Sequence, residues 1–345
     1  MKHGSPYGTQ RVLEPLGVLP QPAWKLDNTM EIYDNEILID VSALNIDSAS
    51  FTQIKGATSG DEARVAAMVI DIVAQRGKHH NPVTGSGGML IGTVAEIGPA
   101  LLGKIDLKVG DKIATLVSLS LTPLRIDGIT KIHMAKDQIE IKGRAILFET
   151  GLYAKLPSDI DEKLALAVLD VAGAPAQTAR LVKEGDTVVV IGGGGKSGTL
   201  CVYEAKKRAG ATGCVIGVSP FAKDCQRMLD LGWADQALHV DATDALALME
   251  AVAKVTDGKL ADVVINCVNI QNTEMGSILA TKQHGKIYFF SMATSFTAAA
   301  LGAEGVGKDL EMIIGNGYAT GHAEFALSLL RESSKLRELF EQLYV

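Results

Sequence analysis

From Glu36 onward the first half of the chain alternates apolar and polar residues in short runs. EILIDVSAL, MLIGTVAEIG, DKIATLVSLSL and the stretch around DQIEIKGRAILF are rich in β-branched residues, and Gly or Asp-Lys breaks separate them. A period of two bounded by turn residues predicts strands with one buried face. Residues 1–152 therefore read as a mainly β module.

At about Tyr153 the period changes. DEKLALAVLDVAGAPAQTARLVKEGD carries a long helical pattern. Beyond it, TVVVIG, GCVIGV, QALHV, ADVVINCV and GKIYFFSM are short and mostly β-branched, as strands covered on both faces of a parallel sheet should be. TLCVYEAKKRAG, AKDCQRMLDLG, ATDALALMEAVAKVT and TEMGSILATKQHG separate them with helical spacing. This alternation predicts a doubly wound α/β domain over residues 153–315. HAEFALSLLRESSKLRELFEQLY reads as one or two amphipathic helices, and residues 316–345 are expected to return to the first module.

Two domains is also the natural count for 345 residues, and 47% hydrophobic residues suffice to fill both cores. A net charge of −7, with no cluster of Lys and Arg, argues against nucleic acid and against an anionic membrane surface as partners. MKHGSPYGTQ lacks the apolar stretch of a signal peptide, and no run approaches the roughly 18 apolar residues that cross a bilayer. A cytoplasmic location is expected. Cys201, Cys214, Cys225 and Cys267 match neither a disulfide framework nor a CxxC metal site, so they read as reduced thiols in or near the core.

The segment TVVVIGGGGKSGTLCVYEAKKRAGA runs from a buried strand through GxGxxG at Gly193, Gly195 and Gly198 into a helix. The first glycine permits a tight turn, the second a close approach to pyrophosphate, and the third close packing of helix on strand. Helix N–H groups and dipole then hold the phosphates. Gly192 and Gly194 could fill the first two roles instead, but the helix length to Gly210 favours the later register. Lys196, Ser197, Ser219, Lys223, Cys267 and Ser291 are the further expected cofactor contacts. An NAD enzyme usually carries an acid about 20 residues on. Here the second strand ends in Ser219, followed by Pro220 and Phe221, so both NAD and NADP stay open, with the balance toward NAD.

The order of β module, nucleotide domain and tail, together with GSGGMLIGTVAEIGPALLGKIDLKVGDKIATL, resembles the medium-chain dehydrogenase/reductase superfamily over nearly the whole chain. The Val109-Gly110-Asp111 turn is the clearest match. The resemblance implies an α/β architecture, a Rossmann doubly wound parallel sheet plus a GroES-like mainly β catalytic domain. In the zinc alcohol dehydrogenases of that superfamily a His and a Glu in this segment help build the metal site, where this chain has Ser86 and Gly87. Asn45, Ile46 and Asp47 stand where a cysteine ligand would follow the early strand, and the four-cysteine structural site is missing too. No metal is expected.

More narrowly, YGTQRVLEPLGVLPQPAWKLDN and EILIDVSALNIDSASFTQI are similar to the 3,5-diaminohexanoate dehydrogenases of bacterial lysine fermentation. That family removes the 3-amino group oxidatively, giving 5-amino-3-oxohexanoate, ammonia and reduced cofactor. A zinc-free quinone or enoyl reductase shares the architecture and is the alternative, and a nucleotide-sensing or crystallin-like protein on this scaffold is a third reading. The resemblance also implies a homodimer, joined near the apolar KIYFFSMATSFTAAAL.

Amine oxidation suits a site without metal. An ammonium of pKa about 10.4 needs only a modest base to free the lone pair that expels hydride. Asp170, within LALAVLDVAGA, is the first candidate, as an acid among apolar residues and on a helix that, by the resemblance, passes under the nicotinamide. A helix acid paired with Arg180 or Lys183 is the plainer reading. Asp47 could receive the substrate ammonium or merely form an Asx turn. His79 or His80 could shuttle a proton or simply be solvated. Glu149 stands at the handover between modules, and His322 could cap the tail helix.

Overall fold

The computed structural model describes residues 1–345 apart from Thr84, Ser86, Met292 and Asn316, and apart from the side chains of Ser48 and Ala49. Ser86, one of the positions that replace metal ligands, thus lies outside the described residues. The chain divides into two compact units, Met1–Asp159 and Ile160–Val345.

Unit 1 holds β1 (Val12–Glu14), β2 (Lys25–Leu26), β3 (Glu36–Ile46), β4 (Gly88–Ile97), β5 (Lys112–Thr115), β6 (Leu124–His133), β7 (Gln138–Phe148) and β8 (Tyr153–Lys155). β1 and β2 form a small antiparallel pair, and the other six form an antiparallel sheet in the order β6-β7-β3-β4-β5-β8. The pairing of β8 with β5 moves the boundary to Asp159, past the expected residue 152.

Two helices, α1 (Ser48–Ala57) and α2 (Glu62–Arg76), interrupt a module expected to be almost all β. Their sequence explains α2 well. The Asp61 side chain caps it by accepting from the Arg64 N–H, and Gly77, at φ +67°, ends it in a left-handed conformation. Val65, Val69 and Val73 recur every fourth residue on its buried face and join Ile39, Leu44, Leu90 and Ile139 of the sheet in one core. Only Lys112–Thr115 of the expected strand DKIATLVSLSL pairs, since a 3-10 turn at Leu119–Leu121 follows.

Unit 2 begins with α3 (Glu162–Leu169) and α4 (Gly173–Leu181). The single long helix expected here is broken between them, because Pro175 has no N–H and its ring would strike the carbonyl four residues back. There follow β9 (Thr187–Ile191), α5 (Lys196–Ala209), β10 (Cys214–Ser219), α6 (Ala222–Asp230), β11 (Gln236–His239), α7 (Ala245–Val255), β12 (Ala261–Asn266), α8 (Glu274–Ala280), β13 (Thr281–Phe289), α9 (Phe296–Gly305) and β14 (Glu311–Ile314). The six strands are parallel, in the order β11-β10-β9-β12-β13-β14. Numbered from β9, that is the 3-2-1-4-5-6 order of the doubly wound dinucleotide folds. Val188 through Ile191 on β9 are fully buried, which accounts for its unbroken apolar run.

The tail forms α10 (His322–Glu332) and α11 (Ser334–Tyr344). These helices pack on α3 and α4 within unit 2. Residues 316–345, expected to return to the first module, group with unit 2. Leu327, Leu330, Leu336 and Phe340 along their apolar stripe are all buried. Among the described residues no helix is long and apolar enough to cross a membrane.

Candidate functional site

The segment after β9 places its four glycines under different constraints. Gly192 has φ +81° and, with Gly193, donates to the Val218 carbonyl at 2.9 and 3.0 Å. A side chain at Gly198 would strike the Gly192 carbonyl, one at Gly194 would strike the Asp224 carboxyl, and one at Gly193 would come within 2.7 Å of the Met228 sulfur. Gly195 differs. Its φ is an ordinary −80°, and a Cβ there would meet nothing closer than the Gly192 carbonyl at 3.5 Å. The chain itself thus demands glycine at 198 for helix–strand packing but leaves Gly195 open. Gly195 is the N-cap of α5, where the first N–H groups, those of Lys196 and Ser197 included, lack intrahelical acceptors. A turn open at this point, at the positive end of a helix, fits a pyrophosphate.

Ser219, the last residue of β10, is buried, and its hydroxyl donates to Asp224 Oδ2 at 3.1 Å. Asp224 pairs with Arg227 at 3.0 Å, and Arg227 in turn donates to the Gly194 carbonyl at 2.8 Å. Gly194, Phe221, Lys223, Asp224, Arg227 and Tyr344 line a cavity of about 260 Å³ beside the turn. A tighter cleft, about 30 Å³, lies where β9, β10 and β12 end, with Gly192, Pro220, Asp241 and Val268 in its walls. That is the switch point of the sheet, where ligands of such folds bind. Cys267 follows β12 and donates its N–H to the Ile191 carbonyl at 2.9 Å. Ser291, just past β13, donates to Asn269 Oδ1 at 3.2 Å. The glycine turn, Ser219, Cys267 and Ser291 thus share one edge of the sheet, with Lys223 at the head of α6.

Asp224 is the residue that sequence reasoning missed. An acid does stand at the end of the second strand, but it arrives from the first turn of α6, five residues after Ser219. The signal was available: a helix that starts so soon after the strand points its first turn back at the strand's end.

Asp170 is corrected in its surroundings. It closes α3 at the break before α4, with its side chain half exposed and paired with Lys196 at 3.0 Å. The chain turns there, so the flanking apolar residues bury themselves and leave the carboxylate outside. Its partner is neither Arg180, which donates to the Thr320 carbonyl, nor Lys183. Lys196 also lies 5.6 Å from the centre of the Tyr344 ring. His322 opens α10, buried and edge-on to Tyr318, and burial lowers its pKa.

In unit 1, Asp47 stands between β3 and α1, its carbonyl accepting from Phe51 N–H at 2.8 Å. Its own N–H donates to the Gly87 carbonyl at 3.3 Å, and Gly88, at φ +116°, packs on the Asn45 carbonyl. The structure therefore joins the two segments that hold metal ligands in zinc relatives. Among the described residues there, Gly87 offers no side chain for a metal, and the Asn45 amide oxygen accepts from Gln138 at 2.9 Å.

The same loop carries the histidines. His79 is fully buried, neither of its ring nitrogens has a hydrogen-bond partner among the described residues, and burial pushes its pKa down to about 4. The nearby Gly87 backbone works the other way. His80, half-buried, is lowered to about 4 by burial first and then by the cations Lys78 and Arg76. Burial takes His79 out of solvent and half-covers His80, so neither is the solvated loop histidine of the plainer expectation, and both imidazoles are neutral at pH 7.

Glu149 does not join this group. It is exposed and accepts from Asn35 Nδ2 at 3.0 Å, beside the end of β3 that begins at Glu36. Asp47 follows the other end, roughly 35 Å away at the usual rise of a strand.

A family model described as the L-erythro-3,5-diaminohexanoate dehydrogenase N-terminal domain matches residues 10–157. A protein of Acetoanaerobium sticklandii named L-erythro-3,5-diaminohexanoate dehydrogenase is 60% identical over 342 residues, 99% of each chain. One of the same name from Fusobacterium nucleatum subsp. nucleatum is 60% identical over 345 residues, 100% of both. Among solved structures, a mycobacterial protein complexed with NADPH superposes with a TM-score of 0.56 at 18% identity, over 86% of this chain and 80% of its own, a likeness of fold alone. With 60% identity over the whole length of both relatives, the chain belongs to the L-erythro-3,5-diaminohexanoate dehydrogenase family.

Proposed function

We propose that this dehydrogenase oxidatively deaminates L-erythro-3,5-diaminohexanoate to 5-amino-3-oxohexanoate and ammonia, with NAD or NADP and without zinc, in the cytoplasm and in lysine fermentation. The observation that carries the reading is the glycine turn, open only at Gly195 and set at the head of α5. A nicotinamide dinucleotide bound there supplies the hydride acceptor. Gly193, Gly195, Lys196, Ser197 and Gly198 would hold its phosphates, with Ser219 and Lys223 near the adenosine ribose and Cys267 and Ser291 along the sheet edge. Asp224, an acid close to that ribose position, supports NAD, because a 2′-phosphate would have to approach a carboxylate. Lys223 and Arg227 in the same cavity keep NADP in contention. The four cysteines, all thiols, suit a reducing compartment.

The substrate is a diamino acid with two ammonium groups. Loss of a proton frees the lone pair of the 3-amino group, hydride leaves C3, and water hydrolyses the resulting iminium to ketone and ammonia. Asp47 or Asp170 binds the ammonium or takes its proton, and His80, held neutral, can pass that proton on.

The experiment is an assay of reduced-cofactor formation from this substrate with each dinucleotide, before and after a chelator, on the protein and its Asp47→Asn and Asp170→Asn variants. Turnover that survives chelation, and falls roughly 10²- to 10⁴-fold when the general base is replaced, is expected. Where the acid only binds the ammonium, the loss lies mainly in KM. Stoichiometric zinc with chelator-sensitive activity, or full turnover and affinity in both variants, would overturn this reading.

A further inference from the structure

Cys201 and Cys267 meet between α5 and β12 with their sulfurs 3.7 Å apart. Cys201, sixth residue of α5, is fully buried, whereas Cys267 is half-buried in the irregular segment after β12. Tyr288 of β13 is fully buried close by, and its hydroxyl has no hydrogen-bond partner among the described residues. Cys214 and Cys225 make no such pair: the Cys225 thiol lies 3.7 Å from the Ser219 carbonyl, and Cys214 is at the start of β10.

The pair adjoins the glycine turn. Cys267 is bonded to Ile191, and a side chain at Gly192 would meet Val268 at 2.8 Å. Val268 and Ile270 line the switch-point cleft. A disulfide requires the sulfurs to close from 3.7 Å to about 2.0 Å. α5 is regular and its Cys201 face is packed, so the movement falls on the segment after β12, one wall of that cleft.

We propose that Cys201 and Cys267 form a thiol–disulfide couple whose oxidised form weakens dinucleotide binding at the adjacent glycine turn. The second clause rests on the nucleotide site assigned above. The oxidant is a low-molecular-weight disulfide. The accessible Cys267, as thiolate, attacks one of its sulfurs, forming a mixed disulfide and releasing one small thiol. Cys201 then gives up its proton and attacks Cys267 Sγ, which forms the intramolecular bond and releases the second small thiol. Two protein thiols are oxidised and one small disulfide is reduced.

The test treats the whole protein with oxidised glutathione, alkylates the remaining thiols and maps the peptides by mass. Loss of two hydrogens, a Cys201–Cys267 crosslink and two alkylated residues, Cys214 and Cys225, are expected. Fluorescence titration with NADH and NADPH should give a Kd roughly tenfold weaker after oxidation. Dithiothreitol should restore it, and Cys201→Ser and Cys267→Ser should abolish the change, whereas Cys214→Ser and Cys225→Ser keep it. Four alkylated cysteines after exhaustive treatment, or a crosslink elsewhere, overturns the couple. A Cys201–Cys267 crosslink with unchanged affinity overturns its link to binding. A reduced protein that binds neither dinucleotide counts against the nucleotide site itself, while the mass map still decides the couple.

Discussion

His79 leaves water on folding: it is fully buried, and its ring nitrogens meet no partner among the described residues. Its folded pKa of about 4 lies below the ordinary 6.5. As pH falls through that interval the unfolded chain takes up a proton that the native ring refuses. Stability is therefore whole above about pH 6.5 and declines toward pH 4. The limit is about 1.4 kcal/mol per pH unit, or roughly 3 kcal/mol across the window. Urea titrations at pH 7 and pH 4.5 should show the loss, and His79→Leu should reduce it, leaving the share of His80; a pH dependence unchanged in the variant would contradict the role of His79. Such a role is hard to read in GKHHNPVTGSGG, because a polar loop gives no sign that its first histidine is the one turned inward. Asp170 fails in the opposite direction. Its apolar neighbours suggest burial, but only the break imposed by Pro175 reveals that the carboxylate faces out toward Lys196.

At the scale of an element, the glycine turn separates what the fold needs from what a ligand needs. Gly198→Val would drive a branched side chain into the Gly192 carbonyl, so a clear drop in melting temperature is expected, of the size that overpacking produces, about 1–3 kcal/mol. Gly195→Val meets no such obstacle. Its melting temperature should stay close to that of the parent while dinucleotide affinity falls sharply, as titration would show; unchanged affinity would remove Gly195 from the site. The turn was legible because strand, glycines and helix occur in sequence order, and the four central strands, β10, β9, β12 and β13, were legible because burial on both faces makes them mostly apolar. β6 was not, since it pairs only with β7 at the edge of its sheet and leaves most of LRIDGITKIH partly or fully exposed, without a clean alternation. β14 escaped for the same reason, as a four-residue edge strand. α2 carries full cap signals, Asp61 and Gly77, inside a stretch that is β on either side.

Across the whole molecule, β14 leaves one edge of the unit 2 sheet unpaired among the described residues. Near it in sequence, Phe296 and Leu301 on α9 are 69% and 62% exposed. An apolar edge of this kind invites pairing, and a homodimer through it is the expectation. Light scattering at micromolar concentration should report twice the mass of the chain, and Ile314→Lys should yield a folded monomer; a monomeric parent would contradict it. Each unit is also one unbroken stretch of chain, joined to the other by a single crossing at Asp159–Ile160. All the long-range pairings of the first sheet are therefore available once its last strand, β8, has left the ribosome. Every strand of the first sheet is thus in place to pair while the second unit is still being translated.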